Sequence, residues 1–172
     1  MSIIKANKWA DVNGVTYGTV LQVQHGMKTD TFTTTSTSPV AVPNLAVTIT
    51  PRFASSRILV TASIAVGMGT AAAYLMAGYI LRNGTAFALP DVDGVRARWH
   101  FGTQGTPSTD STVFFTPTVS DFPNATSALT YQVYIQAESP QTLWINRGGE
   151  ADGNSTITQR VVSTITAMEI AV

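Results

Sequence analysis

Residues 90–100 hold the side chains best suited to recognition chemistry. Asp91, Asp93, Arg96, Arg98, Trp99 and His100 gather around an Asp93-Gly94 turn. Arginine and tryptophan are enriched at interaction hot spots, and an indole face attracts cations and offers a stacking platform for sugars. These six residues form a candidate receptor-contact loop. Strand alternation over 96–101 sends Arg96, Arg98 and His100 to one side and Trp99 to the other, so Trp99 is expected to fill the core.

Catalytic chemistry finds little footing. The histidines, His25 and His100, have no second ligand nearby at metal spacing, and zinc needs three or four convergent ligands. Glu150-Ala151-Asp152-Gly153-Asn154 faintly resembles the start of a calcium loop, but it lacks the alternating oxygen ligands and the closing bidentate Glu. Asp152-Gly153 and Asp93-Gly94 read better as hairpin turns. There is no cysteine, nucleophile elbow, phosphate loop or dinucleotide fingerprint. No carboxylate pair for glycoside cleavage stands out among the ten acidic residues. The reading is of a non-enzyme with no cofactor and no metal.

The elements that must carry the loop are strands. From Leu129 to Ala137, Leu129, Tyr131, Val133, Ile135 and Ala137 fall on one parity, with Thr130, Gln132, Tyr134 and Gln136 on the other. A period of two means a half-buried strand. Further strands are expected over 31–36, 45–50, 57–66, 74–82, 85–89, 96–101, 111–119, 142–146 and 155–170. The breaks between them carry turn chemistry, including Asn83-Gly84, Pro90, Pro123-Asn124 and Gly148-Gly149. Many short strands at such spacing predict an all-β protein, a jelly-roll-like β-sandwich head over 31–172. The last segment has apolar residues on both parities, the signature of a strand covered on both faces. Val162, Thr164, Thr166, Met168 and Ile170 are therefore expected at an oligomer interface.

Residues 1–30 read differently. All three lysines lie here, beside the apolar anchors Ile3, Ile4 and Trp9 and an Asn13-Gly14 turn. A hairpin this small is marginal alone, so the segment is expected to be an arm docking on another protein. Charge is sparse and balanced: ten Lys+Arg and ten Asp+Glu make up 12% of the chain. That balance excludes the basic excess by which proteins neutralise nucleic-acid phosphates. The N-terminus has no run resembling a secretory signal, and synthesis in a cytoplasm is expected. The uncharged stretch 58–81 is long enough to span a membrane, but its alternation and its Gly67-Met68-Gly69 break argue for strands and against insertion.

Several stretches resemble structural proteins of tailed phages, particularly those of cyanobacterial and aquatic hosts. They are Ser2-Ile3-Ile4-Lys5-Ala6-Asn7-Lys8-Trp9, Gly18-Thr19-Val20-Leu21-Gln22-Val23, Ser55-Ser56-Arg57-Ile58-Leu59-Val60, Ile80-Leu81-Arg82-Asn83-Gly84-Thr85 and Tyr131-Gln132-Val133-Tyr134. The resemblance implies a virion protein whose N-terminal arm docks on other virion proteins. It also implies a β head, often trimeric, of a tail fibre that contacts host surface glycan. A capsid decoration protein or head fibre with a purely structural role is the alternative.

Overall fold

The alternating run from Leu129 forms the strand it predicts. In β11 (Leu129–Ala137) the five residues of the apolar parity are buried and the four between them only partly so. The computed structural model describes residues 9–10, 16–69, 75–105, 109–139, 141–149 and 159–172, with backbone alone for 9–10 and 16–17. Ile3, Ile4, the Asn13-Gly14 turn, the side chain of Trp9 and the acidic turn within 150–158 lie outside the described residues.

Every regular element among the described residues is a strand. In chain order they are β1 (Trp9–Ala10), β2 (Thr16–Tyr17), β3 (Val20–Lys28), β4 (Phe32–Thr34), β5 (Val40–Ile49), β6 (Arg57–Met68) and β7 (Leu75–Arg82), then β8 (Phe101–Gln104), β9 (Thr112–Phe115), β10 (Thr118–Asp121), β11, β12 (Leu143–Ile145) and β13 (Ser163–Ile170). The long β6 is the axis of one sheet. One of its edges pairs with β13 and then β12, the other with β10 and then β9. β3 closes that sheet beyond β13, and β4 lies beyond β12. The second sheet runs β5-β11-β7-β8. All pairings are antiparallel.

The partners are nested. β3 pairs with β13, β5 with β11, β6 with β9 and β10, and β7 with β8. A long hairpin rolled up on itself gives this order, with alternate strand pairs falling into facing sheets. That is a jelly roll. The space between the sheets is filled by apolar side chains such as Val60, Ile64, Ile80, Val133, Ile135 and Ile165, all with no exposed surface.

Local chemistry explains the joints. Asn83 and Gly84 both have positive φ, 49° and 78°, as a two-residue type I′ hairpin requires, and Arg82 and Thr85 exchange backbone hydrogen bonds at 2.9 and 2.8 Å. In β5 the expected break at Pro43 is a bulge within the strand. The register against β11 shifts there and Asn44 takes a φ of 61°. Proline is tolerated because β5 is an edge strand.

Three expectations are corrected. Residues 20–28 do not belong with the arm, because β3 pairs along its length with β13 and closes the first sheet. The final strand is not buried on both faces. Ser163, Ile165, Ala167 and Glu169 face inward and are buried, whereas Thr164, Thr166, Met168 and Ile170 face outward and are half-covered. Residues 85–89 and 96–100 are loop, touching the ladder only at Thr85 and through single hydrogen bonds.

The inward Glu169 has no exposed surface. Its Oε1 accepts from the Arg52 N–H at 2.7 Å, the Phe53 N–H at 3.3 Å and the Ser56 hydroxyl at 2.7 Å, and its Oε2 accepts from the Gln22 amide at 2.7 Å. Burial raises its pKa, but these donors outweigh burial and hold it below the ordinary carboxylate value. One carboxylate thus ties β13, β3 and the β5–β6 turn together.

Candidate recognition site

Trp99 and His100 lie where β8 runs out beside β7. The ladder ends at Phe101 opposite Gly78, and the His100 N–H adds one more bond, to the Gly78 carbonyl at 3.1 Å. One residue pair further along, the imidazole takes over from the backbone. Its Nδ1 accepts the Ile80 N–H at 2.9 Å, and its Nε2, which then carries the proton, donates to the Phe87 carbonyl at 2.9 Å. Burial holds the ring's pKa below the ordinary histidine value, outweighing the backbone hydrogen bonds that raise it. His100 is thus a neutral support for the loop. Both its nitrogens are used, which corrects its assignment as a contact residue.

Trp99 is not in the core. β7 directs Leu75, Ala77, Tyr79 and Leu81 to the outer face of the second sheet, opposite the inward Met76, Ile80 and their neighbours. The indole covers this outer face. Its Cε3 lies so close to Gly102 that a Cβ there would stand 3.2 Å away. Tyr79 pairs across the strands with Tyr134 of β11. Alternation predicted a core residue because it assumed a strand over 96–101, and a loop is free of that rule.

Two grooves flank the indole. One, of about 320 Å³, is lined by Thr37, Leu75, Ala77, Ala97, Trp99, Gln136, Ala137 and Glu138. The other, of about 330 Å³, is lined by Leu75, Pro90, Ala97, Trp99, Phe101, Gly102, Thr103 and Gln104. Trp99, Ala97 and Leu75 are common to both. Glu138 accepts the Leu75 N–H at 3.1 Å, so its carboxylate is held at the groove wall. Among the described residues neither lining contains a cation.

The other expected contact residues stay at the loop tip. Asp91, Asp93, Arg96 and Arg98 are exposed, Asp93 and Arg96 pair with each other, and the Arg98 guanidinium donates to the Pro90 carbonyl at 3.4 Å. The sequence reading missed Tyr79, Gln136, Glu138 and Gln104, which come from other strands. Their only signal was position on the polar parity of β7, β8 and β11.

The face expected to form an oligomer interface lies on the first sheet, away from these grooves. Thr164, Thr166 and Met168 stand beside Met27, His25 and Val23 of β3 on one side and Ser63, Thr61 and Leu59 of β6 on the other. Val162, Val20, Val23, Met27 and Phe114 are each about half exposed, at 47%, 51%, 52%, 56% and 51%. His25 Nδ1 and the Thr166 hydroxyl are 2.9 Å apart. Trp9 and Ala10 of the arm pair antiparallel with Tyr17 and Thr16, as expected of the two short strands of that segment.

Among the described residues no group of three metal-ligating side chains gathers, and no helix is long and apolar enough to cross a membrane. No protein-family model matches the chain, and no curated protein matches it in sequence. Solved structures of infectious bursal virus are similar to it. T=1 particles derived from that virus match at 11% identity and a TM-score of 0.43, over 97% of this chain and 42% of theirs. Infectious bursal disease virus of the Gx strain matches at 12% identity and 0.39, over 97% and 44%, and the Gt strain at 10% and 0.38, over 97% and 42%. The chain spans less than half the length of the chains it matches. The fold rests on strand order, and likenesses this weak carry nothing further.

Proposed function

We propose that the chain is a structural protein of a virion, a trimeric tail-fibre head that contacts host surface polysaccharide. One observation supports this most: the outer face of the first sheet is almost uncharged and presents Val20, Val23, Met27 and Phe114 to solvent. A monomer rarely leaves such a patch open, and contiguous exposed apolar surface marks an interaction site. The trimer interface is that face, with Thr164, Thr166, Met168 and Ile170 at its centre. The arm, through Ile3, Ile4 and Trp9, joins the head to other virion proteins. Receptor contact falls to the opposite sheet, whose loops and grooves remain open.

The test is a density map of gradient-purified particles combined with mass spectrometry of their proteins. The chain is expected in threefold clusters at a fibre tip. Its absence from purified particles overturns the virion role. Placement flat on the capsid shell removes the receptor-binding half and leaves the decoration protein, which the same uncharged face suits.

A further inference from the structure

The geometry points to a binding site for an uncharged glycan at Trp99, with two neighbouring sugar residues lying in the grooves on either side of the indole. This rests on the receptor-binding reading above and deepens it by naming the ligand class and the place. A pyranose has apolar C–H faces that pack on aromatic rings and hydroxyls that need hydrogen-bond partners. Each groove offers both. Leu75, Ala97 and the indole form the apolar wall common to the two. Thr37, Gln136 and Glu138 supply polar groups on one side, and Thr103 and Gln104 on the other.

Charge narrows the ligand. Among the described residues the linings carry no lysine, arginine or histidine, and their one ionisable group is the Glu138 carboxylate. An acidic sugar or a phosphate would meet no counter-charge and one like charge, so the site favours uncharged residues. Of the loop's arginines, Arg96 is paired with Asp93 at the exposed tip and Arg98 donates to the Pro90 carbonyl, and neither side chain lines a groove.

The platform is also held in place. Trp99 is followed by His100, whose three hydrogen bonds fix it to Gly78, Ile80 and Phe87. Gly102, with no Cβ, lets the indole lie against the strand. A rigid aromatic gives up little conformational freedom on binding, which is what affinity from so small a surface needs.

The experiment titrates the full chain with uncharged oligosaccharides of glucose, mannose and galactose and with an acidic oligogalacturonate, read by calorimetry. At least one uncharged member should bind, and the acidic one should not. Trp99→Ala should weaken binding by at least about tenfold, as loss of an aromatic hot spot does. Should that variant unfold, Ala97→Trp serves instead. Ala97 is an exposed loop residue that lines both grooves, and the larger side chain should block them while thermal unfolding stays unchanged. The proposal is overturned if no uncharged member binds, if only the acidic one does, or if folded Trp99→Ala and Ala97→Trp bind as the parent does. Adsorption of the same proteins to host cells tells the two readings apart. Parent and variants adsorbing equally would sink the Trp99 site alone, whereas no adsorption by the parent would sink the receptor reading.

Discussion

Glu169 and His100 do similar work with opposite charges of expectation. Each is a titratable side chain facing backbone N–H groups that no strand partner satisfies, and each is held in its deprotonated form. Glu169→Gln keeps the shape but sets an amide N–H among donors, and it should cost about 2–3 kcal/mol, the range for hydrogen bonds to a charged group. Chemical denaturation at neutral pH measures it. His100→Phe leaves the Ile80 N–H and the Phe87 carbonyl unpaired and should cost about 2–3 kcal/mol by the penalty for buried unsatisfied groups. The pH dependence follows from the lowered pKa of both groups. Where the unfolded chain takes up protons that the folded chain refuses, stability falls as pH falls. For His100 the loss starts near the ordinary histidine value and continues down to its lower folded value. For Glu169 it starts near the ordinary carboxylate value. Unfolding midpoints across an acid series should therefore decline in two stages, the first missing from His100→Phe and the second from Glu169→Gln.

At the scale of elements, alternation located β6, β7, β11 and β12 because each has one face on the core and one face on solvent or polar neighbours. Asn83-Gly84 marked its hairpin for the same reason of local necessity: two positive φ values in succession demand such residues. Alternation misled at Trp99. A tryptophan can cover the outside of a sheet as readily as its inside. Glu169 is the reverse case, a carboxylate on the buried parity whose partners come from residues 22, 52, 53 and 56. The sequence places none of those beside it. Gly78 shows how tightly the strands fit. The Phe101 ring lies over it, and a Cβ there would fall 2.0 Å from that ring. Phe101 also stacks on Phe115 of the facing sheet, with ring centroids 5.2 Å apart. Gly78→Ala should cost about 1–3 kcal/mol through overpacking, with Phe101→Leu partly restoring it in a double-mutant cycle.

At the scale of the whole molecule, the proposed function divides the labour between the two sheets, giving one outer face to neighbours and the other to ligand. Met168 separates folding from assembly because it points outward from β13. Met168→Asp should leave the thermal unfolding midpoint within a few degrees of the parent, consistent with the ~0.5 kcal/mol spread of surface substitutions. It should also shift a trimer to monomer in sedimentation. A variant that stays trimeric would move the interface elsewhere.

The nesting of the strands also sets an order in time. β7 and β8 lie at the centre of the hairpin and can meet soon after both are made, but β3 pairs with a strand that begins at Ser163. During synthesis β3 therefore leaves the ribosome early and has no partner until β13 emerges. A chain that stalls short of β13 presents two unpaired edges, one on β3 and one on β6, each able to capture the same strand from another copy. Ribosome pausing between β12 and β13 would thus be an event apt to turn this protein into aggregate, and fast passage through that stretch a simple protection against it.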